Sequence, residues 1–199
     1  MFDSLDPDVR TSVIGFISGL LGALVFFIKK ILDKVADKLF EPKDQVLEIL
    51  NVGKLVKDSL ESLRTEWNAD RASIVQFHNG GYFSSGESMQ KLTITHEEIG
   101  PGVYPLCNVL KNVSLTSALW VADILEGKAI SNVEEIQDVI SRTFLEEFGI
   151  KSIIGCPLKK NDKLVGMVML HWTNTHATFS GESAKTLADQ CKSIPTLLN

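Results

Sequence analysis

The most distinct pattern in the chain is an uncharged apolar run near the N-terminus. Residues 11–28 read TSVIGFISGLLGALVFFI, without one charged side chain, and Lys29 and Lys30 follow directly. An α-helix rises about 1.5 Å per residue, so this run would extend roughly 27 Å, just enough to cross a bilayer's hydrocarbon core. The pattern predicts a transmembrane helix over residues 11–30, preceded by a short acidic N-terminus at residues 1–10.

The charges around this run predict its orientation. Only Arg10 lies just before it, whereas five lysines follow: Lys29, Lys30, Lys34, Lys38 and Lys43. Basic residues remain on the cytoplasmic side, so we expect a single-pass membrane protein whose C-terminal part is cytoplasmic. The run is short for a span, so a helix buried in an assembly or lining a pore is an alternative. A signal peptide is disfavoured because residues 1–10 are acidic and no A-x-A site follows.

Small residues recur every four positions within the run, at Gly15, Gly19 and Ala23. They share one helix face, where two backbones can approach closely. Glycine is also common in membrane helices for other reasons, but three small residues in register favour self-association. The sequence thus predicts a homo-oligomer that meets through this helix, with the lipid bilayer as its other partner.

Helical periodicity continues after the lysines. Residues 31–43 are predicted to form a juxtamembrane amphipathic helix and a linker, interrupted at Pro42. A second helix is predicted from Asp44 to Trp67, because apolar residues recur at three- and four-residue steps: Val46, Ile49, Val56, Leu60, Leu63 and Trp67. This spacing fits a short parallel coiled coil and also a helix packed on a sheet.

Residues 44–199 then alternate between strand and helix patterns and are predicted to form one domain. Four strands are predicted: Arg71–His78, Lys91–His96, Ile150–Leu158 and Leu164–Trp172. Turns are expected at Asn79-Gly80-Gly81 and at the polar segment Lys159–Lys163. Helices are expected at Pro105–Val113, Leu115–Glu126, Val133–Val139, Ser141–Phe148 (closed by Gly149) and Gly181–Leu198 (capped by Ser180 and shortened by Pro195). The predicted fold is α+β, with a central antiparallel sheet and helices on both faces.

Composition narrows the function. The formal net charge is −5, which argues against nucleic acid as a partner. Three widely spaced cysteines, Cys107, Cys156 and Cys191, form no disulfide or zinc pattern. The sequence shows no phosphate-binding loop and no nucleophile motif, and it identifies no cofactor or metal site.

The segment Phe144 to Trp172, FLEEFGIKSIIGCPLKKNDKLVGMVMLHW, resembles the end of a GAF domain. That family typically has a helix, a strand ending in Pro-Leu, a polar hairpin and a strand opening with Gly, here Ser152–Leu158 followed by Gly166–His171. The upstream ADRASIVQFH is similar to the family's first strand. The resemblance extends over about Asp44 to Leu198 and implies a sensory or scaffolding module that binds rather than catalyses.

Within the resemblance, particular ligands are disfavoured. The cyclic-nucleotide members carry an Asn-Lys pair, and this chain has none. Covalent bilin attachment needs a cysteine in the helical middle of the domain, often beside a histidine. Cys107 lies in that region without an adjacent histidine.

Seven residues are candidates for binding a small molecule. They lie at strand ends, in the glycine-rich loop or in the helical middle, where pockets commonly open: His78, Asn79, Phe83, Ser85, Cys107, Phe144 and His171. A structural interpretation competes for several of them. His78 and Asn79 would cap a turn, and Phe144 and His171 would pack in the core.

The sequence therefore predicts a membrane-anchored GAF-like sensor or scaffold without enzymatic activity, which self-associates through its N-terminal helices. An alternative is a structural or pore-forming subunit of a membrane or virion complex, with a phage-like layout, in which the GAF-like domain serves as a platform. A third class is a cysteine-dependent methionine sulfoxide reductase that uses Cys107 and Cys156.

Overall fold

The computed structural model describes residues 19–34 and 45–198, which divide into two units at Glu48 and Ile49. In the first unit, residues 19–34 form a helix, α1, whose side chains are all exposed. The predicted membrane span lies partly outside the described residues, as do Gly15, residues 1–10 and most of the juxtamembrane segment. Among the residues that the structure describes, no helix combines the length and the apolar character needed to cross a membrane.

The second unit is built on a five-stranded antiparallel sheet in the order β3-β2-β1-β5-β4. The strands are β1 (Arg71–Tyr82), β2 (Ser88–Ile99), β3 (Val113–Ser114), β4 (Ser152–Lys160) and β5 (Lys163–Trp172). Helix α2 (Gln45–Glu66) and the C-terminal helices α5 (Ser183–Gln190) and α6 (Ile194–Leu197) accompany one face. Helices α3 (Trp120–Leu125) and α4 (Val139–Glu147) accompany the other. The predicted sheet with helices on both faces is confirmed.

Alternation along the strands divides the core into two layers. Ala72, Ile74, Val168 and Leu170 join Val56, Leu60 and Leu63 of α2 on one face. On the other face, Val75, Met167 and Met169 join Trp120, Ile124 and Leu145. Because successive side chains in a strand point to opposite faces, β5 carries apolar side chains on both faces, and its residues Gly166–Trp172 are buried.

The two hairpins of the sheet differ in their turns. Between β4 and β5, Asn161 and Asp162 both have positive φ (51° and 61°), as a two-residue hairpin turn of mirror-image type requires. The predicted polar connection is therefore correct. The turn predicted at Asn79-Gly80-Gly81 is wrong, because β1 continues to Tyr82. An irregularity in the pairing between Asn79 and Tyr82, with Gly81 at φ 127°, absorbs the glycines as a bulge.

Two predicted helices in the middle of the domain are absent. Residues 105–112 form turns and bends that are hydrogen-bonded to β2 at both ends. The Glu97 carboxylate accepts the N–H groups of Leu106 and Cys107, and the Leu110 carbonyl accepts the N–H of Ile94. Residues 133–139 form only the 3-10 turn Val133–Glu135. The predicted 115–126 segment contains a 3-10 turn, Leu115–Ser117, and then α3.

The C-terminal helical segment is also interrupted. The helix predicted over residues 181–198 divides into α5 and α6, with Pro195 in the first turn of α6, where its missing N–H is tolerated. Glu182, rather than Ser180, occupies the N-cap position of α5. The prediction of α4 closed by Gly149 holds, because Gly149 has φ 66° and donates its N–H to the Glu146 carbonyl.

Candidate functional site

An open groove of about 500 Å³ lies between the starts of α3 and α4. We call it the α3–α4 groove. Its lining comes from the start of α3, the connecting segment and the first turn of α4: Leu119, Trp120, Asp123, residues 128–132, residues 135–138 and Ser141. Three separate stretches of sequence therefore meet at one site.

Local sequence explains why the connecting segment curves around the groove. Gly127 has φ 81°, so the chain reverses after α3. Ile130 then pairs with Ile153 beside β4. Asn132 accepts the N–H of Glu134, and Asp138 accepts the N–H of Ser141 at 2.8 Å, which caps α4. These hydrogen bonds fix the conformation of the segment that lines the groove.

Trp120 forms the floor of the groove. Its side chain is 3% exposed and stacks on Phe144, with ring centroids 6.5 Å apart. Within residues 19–34 and 45–198, its indole N–H has no hydrogen-bond partner. The buried Ser141 hydroxyl lies near the Asp138 carboxylate but forms no well-aligned hydrogen bond. An indole N–H can only donate, so this buried donor is unused among the described residues.

The groove carries more acidic than basic groups. Asp123, Glu135 and Asp138 line it against Lys128 alone. The Lys128 ammonium contacts the carboxylates of Asp123 at 2.8 Å and Glu126 at 2.9 Å, and these hydrogen bonds raise its pKa. The remaining carboxylates give the rim a negative potential, which disfavours anionic ligands.

A second, smaller cavity lies between the sheet and α3. Its volume is about 310 Å³, and its lining is apolar apart from Gln90: Phe77, Leu115, Ala118, Leu119, Val121, Ala122, Leu125 and Leu164. It shares Leu119 with the α3–α4 groove. It offers no charged group to orient a ligand.

The seven sequence-predicted binding residues are not brought together. His78, Asn79, Phe83 and Ser85 belong to the β1–β2 hairpin, with Phe83 and Ser85 at its exposed tip. The His78 Nε2 lies 2.8 Å from the Thr93 hydroxyl, and the Asn79 amide oxygen accepts from Ser88 and Gln90. None of the seven lines the α3–α4 groove or the apolar cavity, although Phe144 supports Trp120.

His171 instead belongs to a buried polar cluster with two residues that the sequence analysis missed. The Arg71 Nε lies 2.9 Å from the Glu97 Oε1, and its Nη1 lies 3.3 Å from the His171 Nδ1. Burial, with Arg71 beside it, holds the pKa of His171 well below its usual range, so the imidazole is neutral. Arg71 begins a predicted strand and Glu97 follows directly after another, and only the observed register shows that both face the core.

Cys107 lies in the loop after β2, in contact with Glu97. Burial and the negative charge of Glu97 raise the pKa of its thiol. Cys156 and Cys191 are buried in the core on the α2 side of the sheet. The thiolate is the nucleophilic form, so none of these environments activates a cysteine.

Comparison with known proteins identifies the fold. The family model of the GAF domain matches residues 51–192. The chain belongs to the GAF domain family. GAF domains are sensory and ligand-binding modules, so this chain is a GAF-like sensory domain. No curated protein matches the chain significantly.

Solved structures similar to the chain are also GAF domains. The blue-light absorbing form of the PixJ GAF domain from Thermosynechococcus elongatus aligns with a TM-score of 0.59 and 12% identity, over 78% of this chain and 89% of that one. A far-red cyanobacteriochrome photoreceptor aligns with a TM-score of 0.57 and 16% identity, over 87% and 96%. A phycocyanobilin-bound GAF domain from a cyanobacterial phytochrome aligns with a TM-score of 0.54 and 16% identity, over 85% and 94%. At these identities the likeness concerns the fold.

Proposed function

We propose that this GAF domain is a non-enzymatic sensor, tethered to a membrane by its N-terminal helix, that binds a small organic molecule in the α3–α4 groove. The observation that carries the proposal is the buried Trp120 indole N–H, which has no acceptor among the described residues and belongs to a side chain that lines a groove of about 500 Å³. A buried donor without a partner costs about 1–3 kcal/mol, and a ligand that accepts its hydrogen bond would recover this cost.

The groove favours a particular ligand chemistry. Leu119, Ile130 and Ile136 supply apolar contacts, and Trp120 requires a carbonyl or another hydrogen-bond acceptor. Glu135 and Asp138 favour a neutral or cationic molecule over an anionic one. We therefore expect a neutral or amine-bearing compound with a carbonyl group. Cyclic nucleotides fit poorly, because their phosphate is anionic and the chain lacks the Asn-Lys pair.

A covalently attached bilin, as suggested by the phycocyanobilin-bound relative, does not fit this chain. Attachment requires a reactive thiolate, and the Cys107 thiol pKa is raised. Cys107 does not line the groove, and Trp120, Ile124 and Leu145 already fill the space between the sheet and the two helices. A cysteine-dependent reductase that uses Cys107 and Cys156 is also disfavoured, because Cys156 is buried on the opposite side of the sheet from Cys107.

The membrane tether is supported by the surface of α1. Its large apolar side chains are all about half or more exposed: Leu20, Leu21, Leu24, Val25, Phe26, Phe27, Ile28, Ile31 and Leu32. A helix that is apolar on every side needs lipid or other protein around it. The same surface would serve a subunit packed in a larger assembly. Extraction by alkaline carbonate would release an assembly subunit and leave a spanning protein in the membrane.

The ligand proposal is tested with the purified full-length chain. We expect native mass spectrometry, or a thermal-shift screen of neutral and amine-bearing metabolites, to find a bound compound. Trp120→Phe removes the indole N–H and should weaken binding about tenfold, corresponding to one hydrogen bond of about 1.4 kcal/mol. Trp67→Phe is the matched control, because the Trp67 N–H already donates to Gln190 at 2.7 Å outside the groove.

Equal binding by the two tryptophan variants would contradict this placement of the ligand. Failure of every compound to bind or to raise the melting temperature would contradict the sensor proposal itself.

A further inference from the structure

Basic and aromatic side chains lie at one end of the sheet. They belong neither to the core nor to the α3–α4 groove. The β1–β5 pairing ends at Gln76 and Gly166. Beyond this point, β5 begins at Lys163, and β1 and β2 continue as a two-stranded arm to Tyr82 and Ser88. Because β1 and β5 are antiparallel neighbours, the β4–β5 turn and the β1–β2 arm project from the same end.

We propose that this end of the domain docks on an anionic membrane surface. The aromatic tip of the arm would enter the interface, and the lysines around it would contact lipid headgroups. The proposal goes beyond ligand binding in the groove, and it does not depend on whether α1 spans the bilayer.

The two hairpins at this end carry a net charge opposite in sign to that of the whole chain. Residues 77–91 and 159–164 contain four lysines, Lys91, Lys159, Lys160 and Lys163, against two carboxylates, Glu87 and Asp162. The full sequence carries a net charge of −5. Lys159 and Lys163 are exposed, while the Lys160 ammonium donates to the Leu198 carbonyl at 2.6 Å. A positive region on an acidic protein favours an anionic partner, and each lysine near an anionic surface strengthens binding about fivefold.

The tip of the arm presents exposed aromatic rings. Tyr82 is 69% exposed and Phe83 is 46% exposed. The tip is ordered by hydrogen bonds rather than loose, because Phe83 donates its N–H to the Glu87 carbonyl and Gly86 donates to the Phe83 carbonyl. Tyrosine and phenylalanine are favoured at the boundary between headgroups and acyl chains. Lysines alone would bind a lipid headgroup or a free phosphate. The exposed aromatic rings beside them favour a lipid surface, because only that partner offers an apolar region.

The relative lengths of the two hairpins fit this partner. From the last β1–β5 pair, β1 extends six residues to Tyr82, and β5 extends back three residues to Lys163. At about 3.3 Å per residue, the arm projects roughly 20 Å and the β4–β5 turn roughly 10 Å. Peripheral segments insert about 5–10 Å below the headgroups. When the aromatic tip is inserted to that depth, the lysines of the β4–β5 turn therefore lie at the level of the headgroups.

The test uses the full-length chain with vesicles of phosphatidylcholine alone or mixed with phosphatidylserine, and it follows hydrogen–deuterium exchange. We expect the segments 79–90 and 158–164 to be protected by phosphatidylserine vesicles but not by neutral ones. In Lys159→Glu/Lys163→Glu, the equilibrium constant for docking that is derived from this protection should fall at least tenfold, whether or not α1 holds the chain at the bilayer. Tyr82→Ser/Phe83→Ser should abolish the protection of 79–90.

The matched control is Lys151→Glu/Lys185→Glu. It makes the same change of charge, with Lys151 at the opposite end of β4 and Lys185 exposed on α5. It should retain the protection. Unchanged exchange in residues 152–157 shows that each variant is folded. Equal protection by neutral vesicles, no protection by either lipid, or an equal effect of the control and the test variant would overturn the proposal.

Discussion

The Arg71 guanidinium and the Glu97 carboxylate form an ion pair of 2.9 Å in the interior of the domain, where the two side chains are 1% and 4% exposed. Arg71 also donates to the Tyr104 carbonyl at 2.6 Å, and Glu97 accepts from the backbone of Leu106 and Cys107. The pair therefore joins the centre of the sheet to the non-helical loop after β2. Both charges are compensated by several polar contacts, as burial requires.

The first prediction concerns this pair. Glu97→Ala leaves the Arg71 charge buried without its partner and frees two backbone N–H groups. We expect it to lower the free energy of unfolding by about 3–5 kcal/mol. Glu98→Ala, at the next position, removes an ion pair with Lys57 that is largely exposed on the lysine side, so we expect about 1 kcal/mol or less. Denaturant unfolding followed by tryptophan fluorescence measures both. Equal losses at the two positions would show that the buried pair is not a stabilising link.

The second prediction concerns pH. Burial and Arg71 hold the pKa of His171 well below 6.5, whereas in the unfolded chain it is about 6.5. Below that pH the unfolded state binds the additional proton, so stability is complete above about pH 6.5 and decreases as the pH falls. The slope approaches about 1.4 kcal/mol per pH unit. His96, whose pKa burial also lowers, adds a smaller effect of the same sign.

Unfolding free energies between pH 7.5 and pH 5 test this dependence. His171→Gln should flatten it, whereas His96→Gln should retain most of it. A profile in His171→Gln as steep as that of the unsubstituted protein would refute the assignment.

The third prediction concerns two glycines in the sheet. A Cβ at Gly155 would lie 2.5 Å from the Val168 carbonyl oxygen and 2.6 Å from the Ile124 Cγ2. At Gly166 it would collide with the Val75 carbonyl oxygen. Alanine at either position must move backbone, so we expect a loss of about 1–3 kcal/mol. Gly181→Ala is the control, because no described atom lies within 4 Å of its Cβ. A melting temperature unchanged in Gly155→Ala and Gly166→Ala would show that the strands can separate at no cost.

Local pattern was sufficient to predict four of the five strands, but not the two-residue strand β3. Runs of β-branched and apolar residues mark the strands β1, β4 and β5. Helices cover both faces of β5, so this strand carries apolar residues on both sides. Helix α2 follows from its periodic apolar residues, of which Val56, Leu60 and Leu63 are buried. These elements depend on neighbours in sequence, so the sequence reveals them.

The loop after β2 and the candidate site could not be predicted in the same way. Residues 105–113 carry a helix-like pattern, but this loop is hydrogen-bonded to β2 instead, through Glu97, Ile94 and Thr93. Glu97 faces inward only because the β1–β2 register shifts between Ile74 and Val75. The α3–α4 groove is lined by residues within 119–141, and the turns of this segment, beside the Ile130–Ile153 pair, set its shape. Hydrophobic periodicity does not report the conformation of such turns.

The last prediction concerns self-association through α1. Gly19 and Ala23 lie one helical turn apart, and the Gly15 of the same proposed row lies outside the described residues. A Cβ at Gly19 meets no described atom within 4 Å, so Gly19→Ile does not clash within the chain. The larger side chain would instead separate two helices that approach through small residues. We therefore expect the oligomer of the variant in detergent to dissociate at higher protein concentrations than the oligomer of the unsubstituted chain. Leu20→Ile, a volume-conserving change at the adjacent exposed position, is the control and should leave association unchanged. Sedimentation velocity measures both, and oligomers that resist Gly19→Ile would place the contact between copies elsewhere.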